Sequence, residues 1–341
     1  MIDPHAGPHF ATAAERAGYG DTSLPMIATE PVDRCDQCGS AAHTEFARGR
    51  DYEIRTCRNE WTFVQCAECQ LVRLHPRPAV SALSVIYPPT YYAYQYESIP
   101  WVARTAKAML DRRKLSGIVR SLGRPVGSYA DIGCGTGRYL HAMHAAGVPR
   151  DRIHGLELDA DVIAKLKSEG FQAHHDRVET CTAIAPGSLD LATMFHVIEH
   201  VDSPAAVIGR VAEWMAPGGV LALETPNLDS MDARRFRDRW WGGYHIPRHW
   251  TLFTPETLQV MLRAQGFEPF AVRYQTGHSF WMYSYHHLLR YGPNPRPEMA
   301  ERFDPMRNVV PLAAFTAWDL VRGALGARTS AMLVLARRRA A

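Results

Sequence analysis

Three alternating glycines, in the stretch Asp131-Ile-Gly-Cys-Gly-Thr-Gly137, constrain the fold of this chain more than any other feature. They follow a short apolar run typical of a buried strand and precede the first turn of a helix. Glycine at these positions lets the backbone turn tightly and lets a ligand approach with no Cβ in the way. The spacing is G-x-G-x-G, whereas a dinucleotide pyrophosphate loop has G-x-G-x-x-G. The stretch therefore predicts a strand–turn–helix unit that holds a nucleotide-like ligand.

Strand and helix patterns alternate from residue 126 onward, which is typical of a parallel sheet with crossover helices. The helix that begins at Thr254-Pro-Glu256 has an N-cap followed by proline, and Gly266 marks its end. An amphipathic helix over 101–122 precedes this region. We predict strands at 127–132, 153–158, 171–175, 189–197, 220–224, 267–274 and 331–336.

Acidic residues recur where the predicted parallel strands end. Asp131 ends the first strand, Glu157 ends the second and Asp176 follows the third. Ligands of open parallel sheets bind beyond these strand ends, at the switch point of strand order. A carboxylate at the glycine turn would repel a pyrophosphate but suits the ammonium and sulfonium of S-adenosylmethionine. Glu157 is placed to accept both ribose hydroxyls, and Asp176 could accept from the adenine amino group.

Four motifs together resemble the class I S-adenosylmethionine-dependent methyltransferases. They are Asp131-Ile-Gly-Cys-Gly-Thr-Gly137, Gly155-Leu-Glu-Leu-Asp159, Leu189-Asp-Leu-Ala-Thr-Met-Phe-His-Val-Ile-Glu-His200 and Pro217-Gly-Gly219. The resemblance covers about 131–266 and implies an α/β fold, a Rossmann-like, doubly wound sheet of seven strands whose last strand is antiparallel. It also implies S-adenosylmethionine as the cofactor, across the strand ends. The predicted cofactor-binding residues are Asp131, Gly133, Gly135, Gly137, Glu157, Leu158, Asp176 and Phe195.

Two cysteine pairs precede this region, Cys35-x-x-Cys38 and Cys66-x-x-Cys69. Each pair can form a knuckle with two thiolates on one side of a tight turn, and two knuckles give a tetrahedral S4 site suited to zinc. We predict a small zinc-ribbon-like domain with Cys35, Cys38, Cys66 and Cys69 as structural ligands. Two disulfides or a redox pair are the alternatives, and Cys57 could replace one ligand.

The predicted domains are a mobile arm (1–30), the zinc-binding module (31–78), a linker with a helix (79–122) and the methyltransferase domain (123–341). Tyrosines in the linker cluster near 87–94, where they could form a lid or pack the two domains together. Insertions near 227–252 and 277–328 are expected to cover the substrate. The later insertion could also pair two subunits in a homodimer or touch a membrane surface, and cover or dimer contact is favoured.

The histidines His196, His245 and His249 are the candidate catalytic bases, since histidine has an unperturbed pKa near neutrality. A base is needed only if the acceptor must lose a proton, and for each histidine an orienting or packing role is an equal alternative. His196, Glu199 and His200 also have a spacing that could bind a divalent ion. The same residues are frequent in methyltransferases without a metal, so a second metal site is not favoured.

The composition of the chain narrows the range of possible functions. The net charge of +3 is too small to suggest a nucleic-acid surface, and no apolar run is long enough for a membrane span. Seven cysteines are too few for a disulfide scaffold and favour the reducing cytoplasm. The front end resembles bacterial methyltransferases that carry a four-cysteine module, several of which act on nucleotide-linked sugars or secondary metabolites. We therefore expect methylation of such a small-molecule acceptor; the alternatives are methylation of RNA or protein and a cofactor-binding module without catalysis.

Overall fold

The structure is a computed structural model that describes residues 23–88, 101–305 and 307–340, without the side chains of 101–108 and 278. Most of the predicted mobile arm and most of the tyrosine cluster lie outside these residues.

Strands and helices alternate in the middle of the chain, as the sequence predicts. The strands are β1 Thr29–Glu30, β2 His43–Gly49, β3 Trp61–Cys66, β4 Val72–Leu74, β5 Arg77–Pro78, β6 Tyr129–Ile132, β7 Ile153–Glu157, β8 Gln172–His175, β9 Leu189–Phe195, β10 Met215–Pro226, β11 Thr251–Leu252, β12 Phe267–Gln275 and β13 Ala331–Arg338. The helices are α1 Leu83–Ile86, α2 Trp101–Leu122, α3 Arg138–Ala145, α4 Ala160–Ser168, α5 Pro204–Trp214, α6 Met231–Arg235, α7 Pro255–Ala264, α8 His278–Tyr291, α9 Pro297–Ala300 and α10 Val309–Ala324.

The described residues form two compact units. The first, which we call the cysteine-rich unit, comprises 23–88, 226–257 and 274–332. The second, the sheet unit, comprises 101–225, 258–273 and 333–340. Each unit therefore draws on segments that are far apart in the chain.

The sheet unit is built on a seven-stranded sheet in the order β12-β13-β10-β9-β6-β7-β8. The neighbouring strands β8, β7, β6, β9 and β10 pair in parallel, and the last strand of the chain, β13, is antiparallel. The predicted Rossmann-like fold class is confirmed. Since β6 lies between β7 and β9, the order of the strands reverses at β6, and the ends of these strands form the crevice where such sheets bind ligands.

Local sequence explains why the helices of the sheet unit begin where they do. The Asp159 carboxylate accepts from the backbone amides of Asp161 (2.9 Å) and Val162 (3.1 Å) and caps α4. The Ser203 hydroxyl caps α5 in the same way, and Pro204 occupies its first turn. Apolar side chains of α2, including Leu115 and Ile118, pack in the core of the sheet. Two of the helices that pack beside this sheet thus have capped N-termini.

The cysteine-rich unit contains a four-stranded antiparallel sheet in the order β11-β4-β3-β2. Thr251 and Leu252 of β11 pair with Arg73 and Val72 of β4, so a segment from after β10 completes the sheet that begins near the cysteines. The core of this unit is aromatic. Its buried side chains include Trp61, Phe63, Phe236, Trp241, Tyr244, Trp250 and Trp281.

None of the helices in the described part of the chain combines the length and the apolar character that crossing a bilayer requires.

Candidate functional site

The glycine turn after β6 has the backbone conformation that its sequence predicts. Gly133, Gly135 and Gly137 have φ angles of 68°, 48° and 79°. A Cβ on Gly133 would lie 2.4 Å from Val197 Cγ2, whereas a Cβ on Gly135 would meet nothing within 4 Å. Gly133 is therefore needed for close packing, while Gly135 faces open space beyond the strand ends.

Asp131 lies at the carboxyl end of β6 and is only 2 % exposed. Its Oδ1 accepts from the Thr193 hydroxyl at 2.6 Å, and Thr193 contacts the Tyr129 hydroxyl at 2.5 Å. Burial raises the pKa of Asp131 to about 7, although the Thr193 hydrogen bond lowers it. A cation beside this carboxyl group would favour its ionised form.

Glu157 ends β7 and turns its carboxylate toward the glycine turn. Its Oε2 accepts from the Gly135 amide at 3.0 Å and its Oε1 from the Leu158 amide at 2.7 Å. Each carboxylate oxygen has a second lone pair, so both can still accept from a ligand hydroxyl. Leu158 is 63 % exposed, which is unusual for a large apolar side chain at a strand end and suits a stacking contact.

Phe195 at the end of β9 lies in a group of side chains from three elements. Its ring makes an edge contact with Tyr139 of α3 at 4.9 Å. Lys114 of α2 places its Nζ 4.1 Å from the centroid of the Phe195 ring and donates to Glu224 Oε2 at 2.9 Å. Asp111 of α2 accepts from the Tyr139 hydroxyl at 2.8 Å. The helix α2 therefore contributes two charged side chains to the edge formed by the carboxyl ends of β6, β7, β9 and β10. We call this edge of the sheet the cofactor edge.

His196 follows Phe195 and lies between two carboxylates. Its Nδ1 is 3.3 Å from Glu199 Oε1 and its Nε2 is 3.3 Å from Glu224 Oε1. Since an ionised carboxylate only accepts hydrogen bonds, both ring nitrogens must carry a proton to bond in this way. Desolvation lowers the pKa of His196, but the two glutamates raise it to about 9. In this arrangement the ring holds a positive charge near neutral pH and has no lone pair for a proton.

The sequence motifs did not indicate Asp111, Lys114, Tyr139 or Glu224. The two α2 residues lie in the amphipathic helix predicted over 101–122, to which no site residue was assigned. Glu224 carried a usable signal, because it ends its predicted strand as Asp131 and Glu157 end theirs. Asp176 lies after β8, where its Oδ1 accepts from the Arg177 amide (2.8 Å) and the Thr180 hydroxyl (2.6 Å).

The four predicted zinc ligands come together in the cysteine-rich unit. The sulfurs of Cys35 and Cys69 are 3.4 Å apart, those of Cys38 and Cys66 are 3.5 Å apart, and all four lie within 4.8 Å of one another. These are free thiols and not disulfides, whose sulfurs would be about 2 Å apart. A tetrahedral site with Zn–S bonds of about 2.3 Å sets its sulfurs about 3.8 Å apart. The donor set and spacing therefore fit zinc, whereas Cys57 is outside the cluster.

His245 and His249 also lie in the cysteine-rich unit. The His245 Nδ1 is 2.5 Å from Glu53 Oε2, and both side chains are 5 % exposed. This contact orients the ring with its Nδ1 side toward Glu53. The residue has a φ of 41°, a backbone conformation that non-glycine residues rarely adopt. The His249 Nδ1 is 2.8 Å from the Gly243 carbonyl, so that ring is oriented by the backbone.

A buried ion pair connects the segment around His245 to the segment around Glu53. Arg248 donates to both carboxylate oxygens of Asp51, at 3.2 Å and 3.0 Å, and both side chains are fully buried. Asp51 also accepts from the Thr56 hydroxyl at 2.6 Å. Desolvation alone would raise the pKa of Asp51, but Arg248 and Thr56 lower it to about 2. The fixed charges hold the Glu53–His245 pair in place.

A model of the methyltransferase domain family matches residues 102–272, half of the 341 residues. The chain belongs to the methyltransferase domain family. The resemblance to S-adenosylmethionine-dependent methyltransferases that we drew from the motifs is confirmed. The matched segment of this methyltransferase contains the glycine turn, Glu157 and the end of β9.

Curated relatives share only part of this methyltransferase. A ubiquinone biosynthesis O-methyltransferase of Aromatoleum aromaticum is 29 % identical over 120 residues, which are 33 % of this chain and 50 % of the relative. An enzyme of the same name from Xanthomonas campestris pv. campestris is 31 % identical over 126 residues, 33 % of this chain and 49 % of the relative. The chain thus spans about half the length of these relatives.

Solved structures resemble this methyltransferase at low identity. The 1,6-didemethyltoxoflavin-N1-methyltransferase of Burkholderia thailandensis, with bound 1,6-didemethyltoxoflavin and S-adenosylhomocysteine, is 16 % identical with a TM-score of 0.46; the match covers 80 % of this chain and 98 % of that one. A SAM-dependent methyltransferase from Archaeoglobus fulgidus is 17 % identical with a TM-score of 0.44, over 68 % of this chain and 94 % of that one.

Proposed function

We propose that this protein transfers a methyl group from S-adenosylmethionine to a hydroxyl group of a small molecule. One observation carries the proposal: the open glycine turn, the buried Asp131 and Glu157 lie together at the carboxyl ends of β6 and β7. Family membership supports the same chemistry. The names of the curated relatives support oxygen as the methylated atom.

The residues of the cofactor edge have distinct proposed roles. Glu157 accepts the ribose hydroxyls, Leu158 covers the adenine and Asp131 faces the positive charge of the cofactor. Asp176 accepts from the adenine amino group, and Phe195 closes the pocket beside the methyl donor. When bound, the cofactor supplies an electrophilic methyl group on a sulfonium, so alignment of the acceptor provides much of the rate acceleration.

Of the three candidate bases, we propose His245. The Glu53 carboxylate orients its ring and would stabilise the imidazolium that forms when Nε2 takes the acceptor proton. With its proton held by His245, the acceptor oxygen would be left as the nucleophile for the methyl group that the cofactor supplies. His196 holds a charge between Glu199 and Glu224, and we propose that it orients these two side chains at the cofactor edge without taking a proton. His249 is proposed to pack against His245, 5.0 Å away.

We propose that Cys35, Cys38, Cys66 and Cys69 bind one structural zinc ion. The site offers four thiols and therefore leaves no position for substrate. Its role would be to fix the two cysteine turns beside β2 and β3, not to take part in the reaction.

The acceptor is proposed to be a sugar-nucleotide or secondary-metabolite intermediate, with a cytoplasmic location. We also propose that the chain has the domain boundaries predicted from its sequence and that it forms a homodimer. RNA or protein remains the alternative acceptor, and the formal charge of +3 argues against a strongly basic polymer-binding surface.

A methyl-transfer assay tests the proposal. The full chain is incubated with S-adenosylmethionine that carries a radiolabelled methyl group and with catechol, methyl α-glucoside, bulk RNA or bulk protein as probe acceptors. We expect label in a small hydroxylated probe and, for His245→Asn, a rate at least about a hundredfold lower with cofactor affinity unchanged. Label only in RNA or protein, or an undiminished rate in the variant, would contradict the proposal.

A further inference from the structure

A small cleft lies within the cysteine-rich unit, between chain segments that follow β2, β10 and β12. Its lining includes Tyr52, Glu53, Trp241, Tyr244, His245 and His287. The volume open to the centre of a water-sized group is about 10 Å³, which is room for one such group. The cleft can therefore receive a single functional group of a ligand, with the rest of that ligand outside.

Two buried acceptor atoms in this cleft lack a hydrogen-bond partner among the described residues. Glu53 Oε1 is one of them, although Oε2 of the same carboxylate pairs with His245. His287 Nε2 is the other. Both side chains are 5 % exposed, and an unsatisfied buried group costs about 1–3 kcal/mol. A ligand that satisfies these atoms would recover that free energy.

Both unpartnered atoms require a donor. An ionised carboxylate only accepts hydrogen bonds. Burial holds the pKa of His287 well below its usual range, so the ring is neutral, and a hydrogen bond to the backbone of Trp240 engages its other nitrogen. The Nε2 therefore carries a lone pair. The missing partner has to be an O–H or N–H group.

The other walls of the cleft distinguish between donors. Arg50 and Arg239 also line it, which disfavours an ammonium group at this place. The Tyr52 ring is fixed against Trp240 (5.1 Å), His287 (5.5 Å) and Tyr291 (5.0 Å), so the walls are aromatic and held in position. A neutral hydroxyl group is small enough for the cleft, can donate to either acceptor atom and is not repelled by the two arginines.

We propose that Glu53 and His287 form the hydroxyl-recognition end of the acceptor site, and that the acceptor presents a phenolic or sugar hydroxyl to Glu53 Oε1 or His287 Nε2. The inference rests on the proposed function, since it names the chemistry by which the acceptor of that reaction would be recognised. It adds two binding residues that the motifs did not indicate.

The test is binding of hydroxylated probes to the full chain labelled isotopically at histidine. The probes are catechol as a phenol, methyl α-glucoside as a sugar, and 1,2-dimethoxybenzene as a ring without a donor. We expect catechol or the glucoside to shift the His287 Nε2 signal in nitrogen–proton spectra, and dimethoxybenzene to leave it unchanged. Glu53→Gln or His287→Phe, whichever removes the acceptor of that hydroxyl, should weaken binding of that probe at least about tenfold, whereas Glu45→Gln, on the exposed carboxylate that pairs with Arg48, should not.

Circular dichroism and S-adenosylmethionine titration of each variant accompany the measurement. If both hydroxylated probes leave the His287 signal unchanged, or if folded Glu53→Gln and folded His287→Phe both bind them as well as the wild type, the cleft holds only water and the inference is wrong. That outcome with intact cofactor binding leaves the proposed function standing. Absence of cofactor binding would instead defeat the proposed function, while a hydroxyl-dependent shift of His287 would still support the cleft as a hydroxyl site.

Discussion

At the scale of single residues, chemically identical side chains have different properties because their neighbours differ. Asp131 and Asp51 are both buried aspartates, yet the pKa of Asp131 rises to about 7 and that of Asp51 falls to about 2. The difference follows from partners, because Asp51 has the Arg248 guanidinium and Asp131 has only a hydroxyl at hydrogen-bond distance. A buried carboxyl group whose neighbouring cations, here Arg138 and Lys114, act only from beyond hydrogen-bond distance is a group that a cationic ligand can ionise.

The pKa of Asp131 predicts a pH-dependent affinity for S-adenosylmethionine. A cation favours the ionised carboxylate, so binding lowers this pKa and releases a proton, and affinity must rise with pH until the free protein is ionised near pH 7. Calorimetry between about pH 5.5 and pH 7.5 should give an association constant that increases about tenfold or more. Asp131→Asn should bind more weakly at the upper end and flatten the profile. If the association constant of Asp131→Asn rose with pH as steeply as that of the wild type, the proton released on binding would come from another group.

At the scale of elements, the sequence predicts local structure well and long-range pairing poorly. The strand at 127–132 appears as Tyr129–Ile132, the strand at 153–158 as Ile153–Glu157 and the helix that begins at Thr254-Pro-Glu256 as Pro255–Ala264. These elements follow from periodicity and caps, which are local. The two residues of β11 have no such pattern, and only their pairing with β4 makes them a strand.

The buried ion pair between Asp51 and Arg248 should stabilise the cysteine-rich unit. Asp51→Ala leaves an uncompensated buried guanidinium, so we expect the free energy of unfolding to fall by about 3–5 kcal/mol. Glu45→Ala is the matched control, because Glu45 pairs with Arg48 on the surface and should change it by about 1 kcal/mol or less. Urea titration followed by circular dichroism gives both values. Equal effects of the two substitutions would show that burial of the pair does not matter.

Zinc content tests the cysteine turns as a metal-binding element. Protein purified without chelator should contain about one zinc ion per chain, and Cys66→Ser should lose it because the closed site needs all four thiolates. Cys57→Ser should keep the metal, since Cys57 is buried outside the cluster. Elemental analysis that finds less than about half an ion per chain in the wild type would contradict the zinc proposal.

At the scale of the whole molecule, the chain is assembled from segments that sequence motifs treat separately. The glycine turn and acids that identify the family lie in one unit, and Glu53, His245 and His287 lie in the other. The motifs indicated the cofactor residues because these residues follow strand ends in a fixed order. They could not indicate Glu53 or Lys114, whose roles depend on partners brought near by tertiary packing.

Titration of the full chain with S-adenosylmethionine in a calorimeter, compared with Glu157→Ala, tests the central claim most directly. Glu157 bonds the glycine turn and is the proposed ribose acceptor, and hydrogen bonds to a charged group contribute about 1.5–3 kcal/mol each. We predict one site in the wild type, affinity weaker by about tenfold or more in Glu157→Ala, and wild-type affinity in Glu213→Ala, whose carboxylate pairs with Arg210 at the surface. No binding by the wild type, or undiminished binding by Glu157→Ala, would contradict the account.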